Sequence, residues 1–184
     1  MSGVMHVAIL GAESSGKSTL AAALAAHYRT VWVPEYLREF VDARQRVPRP
    51  DEQLFIARTQ LERETQACAL ATRYLFCDTT PLMTAIYSQL YFNAVDPALA
   101  ALVRASNYQL TLVAAPDGPW VADGLQRESE AMRQCVHQHL LLTLEQAAMP
   151  FCLVEGGLAQ RVAKSCRYLG LARRVANKRP VSVQ

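Results

Sequence analysis

The residues of this chain best equipped for chemistry lie near its N-terminus, where positions 11 to 19 read Gly-Ala-Glu-Ser-Ser-Gly-Lys-Ser-Thr. The spacing satisfies G-x-x-x-x-G-K-[ST], the pattern of a loop that wraps a polyphosphate. Gly11 and Gly16 permit backbone angles that a side chain forbids. The intervening Glu13, Ser14 and Ser15 then contribute inward-facing N–H groups to a concave anion site. Lys17 is placed to reach the β- and γ-phosphates, and the Ser18 hydroxyl to bind Mg²⁺. Thr19 lies past the metal position and packs or caps. The chemistry this predicts is binding of ATP or GTP with Mg²⁺, followed by phosphoryl transfer.

Two carboxylates are spaced to join that loop. Asp78 ends the apolar run Tyr-Leu-Phe-Cys. An aspartate there can hold the Mg²⁺ hydration shell or accept a proton from an attacking hydroxyl. Alternatively it caps the helix beginning near Pro81, a task open equally to Thr79 or Thr80. Glu35 follows a second apolar run, within Pro-Glu-Tyr-Leu-Arg-Glu-Phe. Ligands of open parallel sheets bind beyond the carboxyl ends of strands, so Glu35 and Arg38 should face the cleft and hold substrate, with Tyr36 beside them a further substrate-binding candidate. The alternative is a surface ion pair among Glu35, Arg38 and Glu39. A stretch from Trp120 to Arg127 reads as a lid, spanning about residues 116–133. Trp120 and Asp123 are substrate-binding candidates, Gly124 marks a turn, and Arg127 is the lid arginine, with Arg133 as second choice. An ordinary surface loop is the competing reading. Tyr36, Trp120 and Tyr91 could stack on a flat ring or pack in the core.

Positioning these groups requires strands that end at one edge. Met5 to Leu10 reads as a buried strand, Ser18 to Tyr28 as a helix, and Val31 to Val33 as a strand stopped by Pro34. A short helix over Arg38 to Arg46 follows. Leu54, Ala57, Leu61, Thr65 and Cys68 recur at spacings of three and four, which predicts a helix from Asp51 to about Thr72 with that apolar face. Tyr74 to Cys77, Gln109 to Ala114 and Phe151 to Val154 read as further strands. Helices are expected over Pro81 to Phe92, Pro97 to Ser106, Ser129 to Ala148 and Leu158 to Leu169, the last capped by Gly170. The tail from Asn177 should fray. Alternating strands and helices, with apolar strands, predict an α/β, three-layer fold: a central parallel sheet of about five strands, helices on both faces and a helical lid.

Composition narrows the partners. The chain has 184 residues and is read as one domain over 1–184; 51% are hydrophobic, enough for a substantial core. A formal charge of +3 suits a phosphate-bearing small molecule, without the dense basic stripe of a nucleic-acid binder. No apolar run reaches membrane-span length and no signal-peptide pattern is present, so a cytoplasmic protein is expected. Cys68, Cys77, Cys135, Cys152 and Cys166 are widely spaced and odd in number, which predicts free thiols rather than disulfides or a zinc site. The four histidines show no catalytic or metal spacing. A GTPase would need Asn-Lys-x-Asp, and the one Asn-Lys continues as Arg179-Pro180.

The series Gly-Ala-Glu-Ser-Ser-Gly-Lys-Ser-Thr, Pro-Glu-Tyr-Leu-Arg-Glu-Phe, Phe-Cys-Asp-Thr-Thr-Pro-Leu-Met-Thr and Pro-Trp-Val-Ala-Asp-Gly-Leu-Gln-Arg resembles the ribosylnicotinamide kinase domain of the NadR family over roughly residues 5–160. The resemblance implies a P-loop nucleoside-kinase fold and ATP-dependent phosphorylation of the 5′-hydroxyl of nicotinamide riboside, giving nicotinamide mononucleotide. Lys17, Asp78, Glu35 and Arg127 would then be catalytic, with Ser18 and Asp78 at the metal. Two departures stand out. Thr80 replaces a second aspartate after the third strand, and Gln126 pushes the lid arginine to position 127. No H-x-G-H motif is present, so adenylyl transfer is not implied. A kinase for another nucleoside or small metabolite, or a regulatory P-loop ATPase, are the alternatives.

Overall fold

A computed structural model describes residues 3–120 and 129–178, with side chains described to residue 172. Five parallel strands form one sheet in the order β2-β3-β1-β4-β5. They are β1 (Met5–Leu10), β2 (Trp32–Val33), β3 (Tyr74–Asp78), β4 (Leu110–Ala114) and β5 (Cys152–Val154). The helices are α1 (Lys17–Tyr28), α2 (Tyr36–Arg44), α3 (Gln53–Cys68), α4 (Pro81–Phe92), α5 (Pro97–Ala105), α6 (Glu130–Gln146) and α7 (Leu158–Lys178).

The central strands read as unbroken apolar runs because both faces are covered. Along β1 the alternation of side chains divides the core in two. Val7 and Ile9 pack with Leu20 and Leu24 of α1 and Leu169 of α7. Ala8 and Leu10 pack with Met83 and Ile86 of α4 and Val136 and Leu140 of α6. Helix starts follow local chemistry. Asp96 accepts from the Ala98 and Leu99 N–H groups to cap α5, with Pro97 in its first turn. Ser129 caps α6 through the Met132 N–H at 3.1 Å. Pro81 opens α4, with Thr80 at the cap position and no side-chain cap there, so Asp78 is not spent on capping.

Three expectations are corrected. Gly170 does not end α7, which runs on to Lys178. Its backbone lacks the positive φ of a C-cap glycine, and the buried Leu169 beside it anchors the helix to the core. A glycine there costs only about 1 kcal/mol of helix propensity. The helix expected from Asp51 is a short 3₁₀ turn, Pro50–Glu52, followed by α3, which stops at Cys68. Its buried face carries Gln53, Ile56, Ala57, Gln60 and Glu64. Of the apolar set Leu54, Ala57, Leu61, Thr65 and Cys68, only Ala57 is buried. The helix turns its glutamines and glutamate inward because they find partners there: Arg49, Tyr36, Asp78 and Tyr108. Finally, α2 begins at Tyr36 and ends at Arg44, where Gln45 takes a left-handed conformation.

Candidate active site

Strand order sets the position of the site. β1 is the middle strand, with β3 on one side and β4 on the other. Register pairs Ile9 with Asp78, and the Thr79 N–H donates to the Ile9 carbonyl at 3.1 Å. The 11–19 loop leaving β1 and the end of β3 therefore open onto the same cleft, as the carboxyl-end rule requires.

The loop has the backbone of a phosphate cradle. Gly11 and Gly16 have φ of 150° and 80°. A Cβ on Gly11 would sit 2.7 Å from both the Ala114 carbonyl oxygen and Ser15 Oγ, so no other residue fits. Ser15 Oγ donates to the Ala12 carbonyl at 2.7 Å, and Lys17 Nζ to the same oxygen at 2.9 Å. Lys17 is only 5% exposed. α1 starts directly at Lys17, so its positive end faces the loop.

Asp78 meets this loop. Ser18 Oγ donates to its Oδ2 at 2.5 Å, while its buried Oδ1 has no protein partner. Burial pushes the Asp78 carboxyl up to about 6. The Lys17 ammonium opposes that rise, Glu35 adds to it, and Ser18 and Arg38 oppose it more weakly. A buried acid with one bonded and one orphaned oxygen, next to a hydroxyl, fits a divalent cation and its water shell. Glu35 stands at the start of α2, its side chain 9% exposed, and accepts from Arg38 Nε at 3.5 Å. Glu39 does not join that pair; it forms a two-pronged pair with Arg63.

A cavity of about 290 Å³ lies between these groups. Glu13, Lys17, Glu35 and Arg38 are charged residues of its lining. Ile56, Met83, Tyr87 and Tyr91 line it with apolar and aromatic surface, and Gln60 and Thr79 add polar atoms. The Tyr87 and Tyr91 rings stack with centroids 5.9 Å apart. Burial, followed by the Glu13 and Glu35 carboxylates, pushes the Tyr87 phenol well above its ordinary range, so it stays neutral.

The structure thus brings together the 11–18 loop, Glu35, Arg38, Asp78 and Tyr91. Tyr36 is set apart: its ring packs on Phe40 and Phe55 with the Arg63 guanidinium 4.5 Å above it, outside the cavity lining. Trp120 is half-buried and also outside that lining. Asp123, Gly124 and Arg127 lie outside the described residues. Arg133, 3% exposed, faces the protein: it donates to the Pro116 and Gly118 carbonyls at 3.0 and 2.9 Å and reaches the Ser14 carbonyl at 3.5 Å.

Sequence reasoning missed Gln60 and Arg161. Gln60 accepts from the Tyr36 N–H at 2.9 Å and reaches the Asp78 carbonyl oxygen at 3.5 Å, tying α3 to both strand-end segments. Arg161, near the start of α7, donates to the Gly156, Ser15 and Ala115 carbonyls and to Asp117. It locks the loop to the segments following β4 and β5. Neither residue sits in a motif, and only tertiary contacts reveal them.

A parallel sheet with this strand order, a glycine-built phosphate loop and an aspartate at the neighbouring strand end define a P-loop nucleotide-binding fold. Comparison with known proteins agrees. Residues 6–161 match the family model AAA_28, described as an AAA domain, and the chain belongs to that family. It is 31% identical over 157 residues to the trifunctional NAD biosynthesis/regulator protein NadR of Escherichia coli strain K12. That alignment covers 83% of this chain and 38% of NadR, so the chain spans about two fifths of that relative's length. Among solved structures, NadR in complex with NR superposes with a TM-score of 0.77 at 20% identity, covering 91% of this chain and 50% of that one. Thymidylate kinase from Candida albicans superposes at 0.69 and 14% identity, covering 93% of each. Among the described residues, no helix is long and apolar enough to cross a membrane.

Proposed function

We propose that the protein is an ATP-dependent kinase that phosphorylates the 5′-hydroxyl of nicotinamide riboside to give nicotinamide mononucleotide. The observation that carries this reading is the cavity of about 290 Å³ shared by Lys17, Glu35 and the stacked Tyr87–Tyr91 pair. It joins a polyphosphate loop to a carboxylate and to an aromatic wall suited to a flat base. The similarity to NadR over most of this chain supports nicotinamide riboside as that base's nucleoside.

The roles divide by location. The loop from Gly11 to Thr19 binds the ATP phosphates, Lys17 leaving the Ala12 carbonyl to neutralise the outer one. Ser18 and Asp78 would hold Mg²⁺, which supplies charge neutralisation on the β- and γ-phosphates. Glu35 lines the cavity, and Asp78, already engaged by Ser18, does not. Glu35 is therefore the residue that orients the acceptor hydroxyl and takes its proton, with Arg38 beside it. Arg127 is the arginine that would close over the transferring group. Positioning supplies most of the rate, because phosphoryl transfer asks little covalent chemistry of the protein.

Coupled detection of ADP with Mg-ATP and nicotinamide riboside tests the proposal. Turnover giving nicotinamide mononucleotide, abolished in Lys17→Ala, is expected. A second reading, a kinase for another nucleoside, is favoured by the apolar character of the cavity wall, which suits any flat base. A panel of pyrimidine, purine and pyridine ribosides separates the two: equal rates across the panel would replace nicotinamide riboside as the acceptor.

A further inference from the structure

Away from the cleft, α3 buries a second polar group against the sheet. His6 of β1, Glu64 of α3 and Cys77 of β3 bring one nitrogen, one oxygen and one sulfur within 4.8 Å of one another. Cys77 is fully buried, Glu64 is 3% exposed and His6 is half-buried. The Tyr108 hydroxyl contacts both Glu64 oxygens, at 3.0 and 2.9 Å. Among the described residues, no lysine or arginine is ion-paired with Glu64. A buried carboxylate without a cation is costly. A cavity of about 250 Å³, lined in part by His6, Glu64, Asn107 and Tyr108, opens onto the cluster and shares no lining residue with the acceptor cavity.

We propose that His6, Glu64 and Cys77 form a binding site for a zinc-type divalent transition metal, with the fourth coordination position opening into this second cavity. Three protein ligands of mixed N, O and S character with one open position is a zinc arrangement. Bonds of about 2.0–2.3 Å place tetrahedral ligands roughly 3.3–3.8 Å apart. The ligand atoms must close by about an ångström, within reach of side-chain rotation. The donor set also distinguishes this site from the all-oxygen pair Ser18 and Asp78, since a thiolate and an imidazole select against Mg²⁺. Tyr108 is the outer partner that fixes the carboxylate. Burial pushes the Glu64 carboxyl up to about 7 and lowers His6.

The test uses the full chain treated with chelator and titrated with Co²⁺, then Zn²⁺. One equivalent of Co²⁺ should give a near-ultraviolet thiolate-to-cobalt charge-transfer band, which Zn²⁺ abolishes by displacement. Cys77→Ser should remove the band. His6→Ala, at a half-buried position, should weaken Co²⁺ binding at least tenfold while far-ultraviolet circular dichroism and Mg-nucleotide binding stay as in the wild type. If Cys77→Ser does not fold, His6→Ala decides. The proposal is overturned by a folded wild type without the band, by a band that survives Cys77→Ser, or by wild-type Co²⁺ affinity in His6→Ala.

Discussion

Arg161 holds the phosphate loop from behind, and its removal has a magnitude that can be worked from its contacts. The side chain is 8% exposed. Nε donates to the Gly156 carbonyl at 2.8 Å, Nη1 to the Ser15 carbonyl at 2.5 Å and Nη2 to the Ala115 carbonyl at 2.9 Å, with Asp117 completing the set. In Arg161→Ala the Ser15 and Ala115 acceptors lose a buried charged donor, at about 1–3 kcal/mol each. The Asp117 side chain is 35% exposed and rehydrates, so that pair adds little. The expected loss is about 3 kcal/mol, read from the urea midpoint at unchanged slope. Because the Ser15 carbonyl belongs to the phosphate loop, Mg-ATP affinity should fall about tenfold, or ~1.4 kcal/mol. Arg161→Lys keeps the charge but not the fork, and should recover about half of the stability. The acid limb should change as well. Burial alone would raise the Asp117 carboxyl, but the Gly156 N–H and the Arg161 guanidinium outweigh it and hold it below its ordinary range. A depressed carboxyl contributes stability above the unfolded-state value and loses it as pH falls through the folded one. Arg161→Ala should flatten that part of the pH profile. A variant within about 1 kcal/mol of wild type, with unchanged nucleotide affinity, would refute the reasoning.

Four more substitutions address the cleft. Lys17→Ala should fold normally and lose at least about 100-fold in kcat, measured by ADP release, because it removes the charge facing the transferring phosphate. Glu35→Gln and Asp78→Asn should separate: the first lowers kcat with the Mg²⁺ requirement unchanged, the second raises the Mg²⁺ concentration for half-maximal rate; a raised Mg²⁺ requirement in Glu35→Gln alone would reverse the assignment, and identical curves would refute it. Gly11→Ala places a Cβ 2.7 Å from the Ala114 carbonyl at a φ of 150°, and should cost about 1–3 kcal/mol of stability in denaturant melts.

Much of the fold was legible because its signals are local. Strand runs ended where apolar residues ended, and Pro81 and Pro97 marked helix starts that the structure reproduces. The phosphate loop and Asp78 were legible for the same reason: glycine spacing and a strand-end acid are short-range patterns. Arg161 was not, since its partners Ser15 and Ala115 are 146 and 46 residues away in sequence. The direction of the Tyr36 ring, left open between stacking and core packing, depends on Phe55 and Arg63 in α3, which no count along α2 can reveal.

The α3 periodicity shows why such misses cluster at functional places. Its apolar stripe predicts one inner face, yet the face observed is turned toward Gln53, Ile56, Gln60 and Glu64. Burial of Leu54 and Leu61 would be favourable, so the rotation must be offset by what the polar face gains. Gln60 satisfies the Tyr36 N–H and lines the cavity beside the phosphate loop, and Glu64 meets Tyr108, His6 and Cys77. A helix that departs from its own hydrophobic pattern is expected where a site demands it. Here the departure serves two cavities at once, one turn apart on the same helix. Substituting Gln60 by leucine should therefore restore the apolar pattern, leave stability within about 1.5 kcal/mol, and still raise the acceptor KM.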